Sequence, residues 1–158
     1  MKKNMGWLSV MLWLLPVASL WAGSIEVVDP WVREAPPAMQ TLSAYMEIRN
    51  TGTMGKTVVG ASSPMFAKVE FHESMQRAGV STMVARDSLV IDAGSKVTLK
   101  PGGYHLMLIA PQGPRPLRAG DKVPLALHLS DGSQWVGEAE VRAVKGDTAA
   151  DMHHHHAH

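Results

Sequence analysis

Short segments in which apolar and polar residues alternate constrain the fold of this 158-residue chain most strongly. In one segment Leu42, Ala44, Met46 and Ile48 alternate with mostly polar neighbours, and residues 123–130 repeat the pattern. A two-residue period turns one side of a β-strand toward a core and the other toward solvent. Turn residues recur every eight to fifteen positions, and no convincing helical period interrupts them. The sequence therefore predicts an all-β sandwich or barrel, with one domain over residues 23–146.

The segment from Tyr104 to Ile109 differs from the others, because it is apolar on both sides apart from His105. Such a run is typical of a central strand that is buried on both faces. The preceding Pro101 and Gly102 fit the two central positions of a type II turn. We expect this strand to lie in the middle of the sheet.

The two ends of the chain lie outside this pattern. Residues 1–22 combine Lys2 and Lys3 with a long apolar run, which predicts a cleaved signal peptide. An uncleaved N-terminal membrane anchor is the alternative. Residues 147–158 are predicted to form a flexible tail, native rather than an expression tag because Ala157 interrupts the histidines. This tail offers a second metal site through Met152, His153, His154, His155, His156 and His158.

Composition excludes several classes of function. The chain has no cysteine, which rules out disulfides, thiolate metal sites, lipid attachment at cysteine and thiol redox chemistry. Its net charge is only +1, so there is no basic field to hold nucleic acid. No catalytic triad, phosphate loop or dinucleotide fingerprint is visible. We therefore expect a binding protein without a small-molecule substrate, not an enzyme.

The histidines and methionines of the predicted domain form a candidate metal site. His105 and Met107 are two residues apart on one strand, so both project from the same face. His72, at the predicted end of a strand over 65–72, and Met83, just after a turn at Gly79, complete a set of two imidazoles and two thioethers. Such a soft, neutral set prefers Cu(I) over Zn(II). Methionine packing and structural hydrogen bonding of histidine are the alternative interpretations.

Two neighbours of His72 are further candidates. Glu73 is adjacent to the histidine and is a candidate hydrogen-bond partner for its imidazole, with a backbone carbonyl as the alternative. Met75 is a candidate auxiliary thioether, although a packing role in a hairpin is the favoured interpretation. Met46 is predicted to lie in the core and His128 to face solvent.

The spacing of the four donors resembles a known family. Ten residues separate His72 from Met83, twenty-one separate Met83 from His105, and one separates His105 from Met107. This H-x10-M-x21-H-x-M pattern is similar to that of the PCu(A)C family of periplasmic copper chaperones. The stretches VEFHESM at 69–75 and AGSKVTLKPGGYHLML at 93–108 also resemble the family, as do VVDPWVREAPP and LSAYMEIRNTG.

The resemblance implies a cupredoxin-like Greek-key β-sandwich that binds Cu(I) through His72, Met83, His105 and Met107. It also implies delivery of copper in the periplasm to cytochrome oxidase subunit II or its assembly factors, with Cu(II) capture by the tail. A copper buffer or resistance protein without a dedicated acceptor is the alternative. We expect a monomer, with a metal-bridged dimer through the tail as the other possibility.

Overall fold

The computed structural model describes residues 25–143, and within this range it contains ten β-strands and no α-helix. Accordingly, this part of the chain includes no helix long and apolar enough to cross a membrane. The strands are β1 (Ile25–Arg33), β2 (Thr41–Asn50), β3 (Lys56–Ser62), β4 (Phe66–Arg77), β5 (Val80–Arg86), β6 (Leu89–Ile91), β7 (Lys96–Leu99), β8 (Tyr104–Pro111), β9 (Lys122–Leu129) and β10 (Gln134–Arg142). The all-β prediction is confirmed.

The strands follow the spatial order β5-β4-β8-β2-β1-β10-β9-β3-β6. The first half of β2 pairs with β8, and its second half pairs with the short strand β7. β1 and β10 are parallel, while the other paired strands in this path are antiparallel. A further pairing of Ala61 on β3 with Val69 on β4 closes the sheet on itself. The result is the predicted Greek-key sandwich, closed as a barrel, with β8 in the sheet interior as expected.

The core lies on the inner side of this barrel. Met46 is 3% exposed and packs there as predicted. On β9 the leucines are buried, whereas His128 faces the other side and its Nε2 lies 2.8 Å from the hydroxyl of Ser62. The largest fully buried side chains are aliphatic apart from one asparagine: Val32, Ile48, Asn50, Val58, Ile91, Leu106, Leu108, Val123, Leu125, Leu127 and Val141.

A tight hairpin joins β4 to β5. Arg77 pairs with Val80, so the loop consists of Ala78 and Gly79 alone, with φ angles of 50° and 80°. Positive φ at both positions is the geometry of a type I′ turn, whose twist matches that of the flanking strands. The prediction that the strand ends at His72 is wrong, because this hairpin continues the pairing to Arg77. His72 therefore lies in the middle of β4.

Candidate metal centre

The four predicted donors lie on three adjacent strands and on one side of the sheet. His72 on β4 is directly opposite His105 on β8, and Met107 on β8 is opposite Glu70 on β4. Met83 on β5 is opposite Ser74 on β4. Residues that are directly opposite share a face, and so do residues two apart on a strand. We call this side of β5, β4 and β8 the outer face, defined by Glu70, His72, Ser74, Met83, His105 and Met107.

The core occupies the opposite side of the same strands. Phe71, Leu106 and Leu108 alternate with the donors and are 3%, 0% and 0% exposed. The donor side chains consequently do not contribute to the main hydrophobic core. They are held in place by a backbone that the core fixes from behind.

The two imidazoles are close neighbours. Their ring centroids are 5.9 Å apart, with an angle of 33° between the ring planes. His105 is 4% exposed, and its Nδ1 lies 3.1 Å from the carbonyl oxygen of Gly103. Since a carbonyl only accepts hydrogen bonds, Nδ1 of His105 carries the proton and its Nε2 keeps the lone pair. This is the usual arrangement of a histidine that binds metal through its other nitrogen.

Aromatic side chains on neighbouring strands support His105. The ring of Tyr45, which is 6% exposed, has its centroid 6.5 Å from that of His105. Trp31 packs on Tyr45 with a centroid distance of 4.6 Å, and the guanidinium of Arg142 lies 6.0 Å from the Trp31 ring. This row of rings restricts His105 from the side of β2 and β1.

His72 has a carboxylate partner, but it is Glu70 and not the adjacent Glu73. Nε2 of His72 lies 3.0 Å from Oε2 of Glu70, while Lys68 pairs with the other carboxylate oxygen. The Lys68 ammonium, followed by His72, holds the pKa of the Glu70 carboxyl below its usual value. Glu73 lies on the opposite face of β4 and accepts hydrogen bonds from Arg86 at 2.9 and 2.5 Å. The Glu73 interpretation is therefore wrong.

The two thioethers differ in accessibility. Met83 is 51% exposed on β5, the terminal strand of the sheet order, while Met107 is half-buried. Met75 pairs with Thr82 and lies on the face opposite the donors, so the structure does not place it beside His72. The predicted tail donors, Met152 and the histidines after it, lie outside the described residues.

The arrangement is suited to a soft metal ion. Among residues 25–143 no group of three or more His, Cys, Asp or Glu side chains is placed to hold a metal. Nδ1 of His72 is buried and has no hydrogen-bond partner among the residues that the structure describes, so this nitrogen is a candidate ligand atom. Any site here needs the thioethers beside the imidazoles, and thioethers favour Cu(I) over harder cations.

The closed all-β barrel and its outer-face histidines and methionines define a small β-protein with a soft donor set. Residues 25–141 match the family described as "Putative lipoprotein LpqE-like", and the chain belongs to this family. A relative from Leifsonia xyli, "Putative lipoprotein Lxx21020", is 37% identical over 113 residues, which cover 71% of this chain. The match spans 66% of the length of that relative.

Solved structures of copper-bound proteins, one of them a PCuAC domain, share the fold. The copper-bound PCuAC domain from PmoF2 has a TM-score of 0.64 at 24% identity, over 77% of this chain and 95% of that domain. The Cu(I) form of DR1885 from Deinococcus radiodurans has a TM-score of 0.60 at 28% identity, over 77% of this chain and 81% of that one. The cupredoxin-like sandwich expected from the resemblance is thus confirmed.

Both descriptions contain the word lipoprotein, whereas the 158 residues of this sequence include no cysteine.

Proposed function

We propose that this protein is a periplasmic copper chaperone that binds Cu(I) through His72, Met83, His105 and Met107. The observation that carries the proposal is the register of β5, β4 and β8, which gives all four side chains the same face. Nδ1 of His72, which has no hydrogen-bond partner within residues 25–143, and the lone pair on Nε2 of His105 support it further. DR1885, 28% identical to this chain, has been solved in a Cu(I) form, which supports the choice of metal.

The proposed chemistry is binding and exchange, without catalysis. Two neutral imidazoles and two thioethers stabilise a soft d10 cation and need no deprotonated thiolate. The donors differ in exposure, from 4% for His105 to 51% for Met83. An incoming acceptor ligand reaches Met83 before it reaches the buried imidazole. We therefore propose that transfer begins with displacement of Met83.

The proposed acceptor is a copper centre of cytochrome c oxidase, reached through subunit II or its assembly factors. The resemblance to periplasmic copper chaperones supports this choice. The chain has no cysteine, so it does not prepare an acceptor by thiol exchange. We propose that residues 1–22 direct export and that the tail donors capture Cu(II).

The test of the site is a Cu(I) titration against a competing chelator under reducing conditions. The six tail donors are first replaced by serine, so that only the β-domain binds. We expect one tight equivalent, lost on Met83→Ala or His105→Ala. His128→Ala, a histidine on β9 bonded to Ser62, is the matched control and should bind like the parent. Absence of a tight equivalent in the parent contradicts the proposal.

Delivery is tested separately from binding. The loaded protein is mixed with the reduced copper domain of oxidase subunit II or with a small chelator of equal Cu(I) affinity. A chaperone releases copper faster to the protein acceptor, because docking assists ligand exchange. Equal release rates would instead favour the copper buffer.

A further inference from the structure

The hydrogen bond between Glu70 and His72 determines which ring nitrogen of the imidazole carries the proton. Glu70 lies two residues before His72 on the outer face, and its Oε2 is 3.0 Å from Nε2 of the imidazole. The other carboxylate oxygen pairs with Lys68, which holds the group from the far side. An ionised carboxylate accepts hydrogen bonds and donates none. Nε2 of His72 must therefore carry a proton.

This protonation leaves the lone pair of neutral His72 on Nδ1. Nδ1 is fully buried and has no hydrogen-bond partner in the described part of the chain. Buried polar atoms nearly always have a partner, so an unpartnered nitrogen needs an explanation. A metal ion that binds at this nitrogen supplies one. His105 has the reverse arrangement, because its Nδ1 donates to the carbonyl oxygen of Gly103 and the lone pair of the neutral ring is then on Nε2.

We propose that Glu70 is a positioning residue that holds His72 as the Nε2–H tautomer, so that Cu(I) binds Nδ1 of His72 and Nε2 of His105. The inference rests on the proposed function, since it concerns the same four-donor site. It adds a residue outside the donor set and assigns a different nitrogen to each imidazole. A carboxylate that bonds to a metal-binding histidine orients the ring and raises its basicity.

The chain provides a matched control for this role. Glu73 is adjacent to His72 in sequence, but it lies on the opposite face and bonds to Arg86. Loss of either carboxylate removes one negative charge from β4. Only loss of Glu70 removes the hydrogen bond to the imidazole.

The first experiment observes the tautomer directly in the metal-free full chain. Long-range 1H–15N NMR spectra in mildly alkaline buffer distinguish protonated from unprotonated ring nitrogens, and His72→Gln identifies the His72 signals. We expect protonated Nε2 and unprotonated Nδ1 in the wild type, and in Glu73→Ala. In Glu70→Ala we expect a mixture of tautomers. In Glu70→Gln the amide oxygen still accepts the bond, so the wild-type tautomer should return.

The second experiment uses Ag(I), a diamagnetic d10 cation, to identify the bound nitrogens in the full chain with its tail donors replaced by serine. We expect silver–nitrogen splitting at Nδ1 of His72 and at Nε2 of His105. For Cu(I), Glu70→Ala should lower affinity by about tenfold or more, Glu70→Gln by less, and Glu73→Ala not at all.

Different results would contradict the positioning role of Glu70 and the proposed copper-binding function. Metal bound at Nε2 of His72, or a wild-type Nδ1–H tautomer, overturns the positioning role and leaves copper binding intact. The expected tautomer without Ag(I) or Cu(I) binding at either histidine overturns the proposed function, and with it the role of Glu70 in metal binding.

Discussion

Met83 lies directly opposite Ser74 across β5 and β4, which places its side chain on the outer face diagonal to His72. Met75, the residue after Ser74, pairs with Thr82 and points to the other side of the same hairpin. Two methionines of one hairpin thus have different surroundings. Only Met83 shares a face with the imidazoles.

This difference predicts that alanine substitution of Met83 weakens Cu(I) binding and that alanine substitution of Met75 does not. Met83→Ala should lower Cu(I) affinity by at least about tenfold, because a soft ligand is removed. Its free energy of unfolding should change by less than about 0.5 kcal/mol, since the side chain is 51% exposed. Chelator competition and urea unfolding measure the two quantities. Met75→Ala is the control, and a comparable affinity loss in it would contradict the face assignment.

Met107 allows the thioether to be separated from the volume of the side chain. Met107→Leu keeps the apolar bulk and should lower stability by less than about 1.5 kcal/mol, but it should weaken Cu(I) binding strongly. Met46→Leu makes the same change in the core, where Met46 is 3% exposed. That variant should bind Cu(I) like the wild type. Equal affinities in the two variants would exclude Met107 as a ligand.

Trp135 covers Gly137 on β10 so closely that a side chain does not fit beneath the ring. A Cβ at position 137 would lie 2.3 Å from Cζ2 of Trp135. Gly137→Ala should therefore displace the indole and lower stability by about 1–3 kcal/mol in urea unfolding. In Gly60→Ala the new Cβ meets His128 Cδ2 at 3.8 Å, an ordinary contact, so a similar loss there would refute this explanation.

Asp121 should contribute to the acid sensitivity of the fold. Its carboxylate accepts two hydrogen bonds from the Arg115 guanidinium at 2.8 Å and one from the backbone N–H of Arg118. These bonds, those from Arg115 first, lower the pKa of Asp121 from 3.8 to about 2. A lowered pKa in the folded state gives stability that is present above pH 3.8 and is lost as the pH falls toward about 2.

The measurement is the urea midpoint of unfolding at about pH 5 and at about pH 2.5, because most of the stability linked to Asp121 is lost between these two values. Asp121→Asn should show a smaller drop between the two conditions than the wild type does. Asp87→Asn is the control, because this exposed carboxyl forms no ion pair within the described range 25–143. The effect is expected to be modest and to weaken in high salt, since the Arg115–Asp121 pair is exposed.

The strands and the core were predictable because two-residue alternation is a local property. The pattern around Met46 and the leucines near His128 gave the buried side correctly. The same rule predicted that His105 and Met107 share a face. Applied to His72, it also identifies Glu70 as the same-face carboxylate. Glu73 is one residue from His72, so the same rule assigns it to the opposite face, where it bonds to Arg86.

The position of Met83 relative to His72 was not predictable in the same way. It depends on the register of β4 and β5, which the two-residue turn at Ala78 and Gly79 sets. Glycine in a sequence indicates that a left-handed backbone conformation is possible there, whereas alanine rarely adopts one. Ala78, at a φ of 50°, therefore gives no sign in the sequence that it occupies this turn. A register shifted by one residue would turn Met83 to the opposite face.

The donor and core side chains use alternate positions of the same strands, and this separation affects how the protein can change. A substitution at Met83 or Met107 alters the chemistry of the outer face, while Leu106 and Leu108 continue to pack behind it. Under the proposed function, selection is therefore able to act on metal preference and on folding almost independently. Replacement of a thioether by a harder ligand would change the metal preference of the site while the barrel keeps its fold.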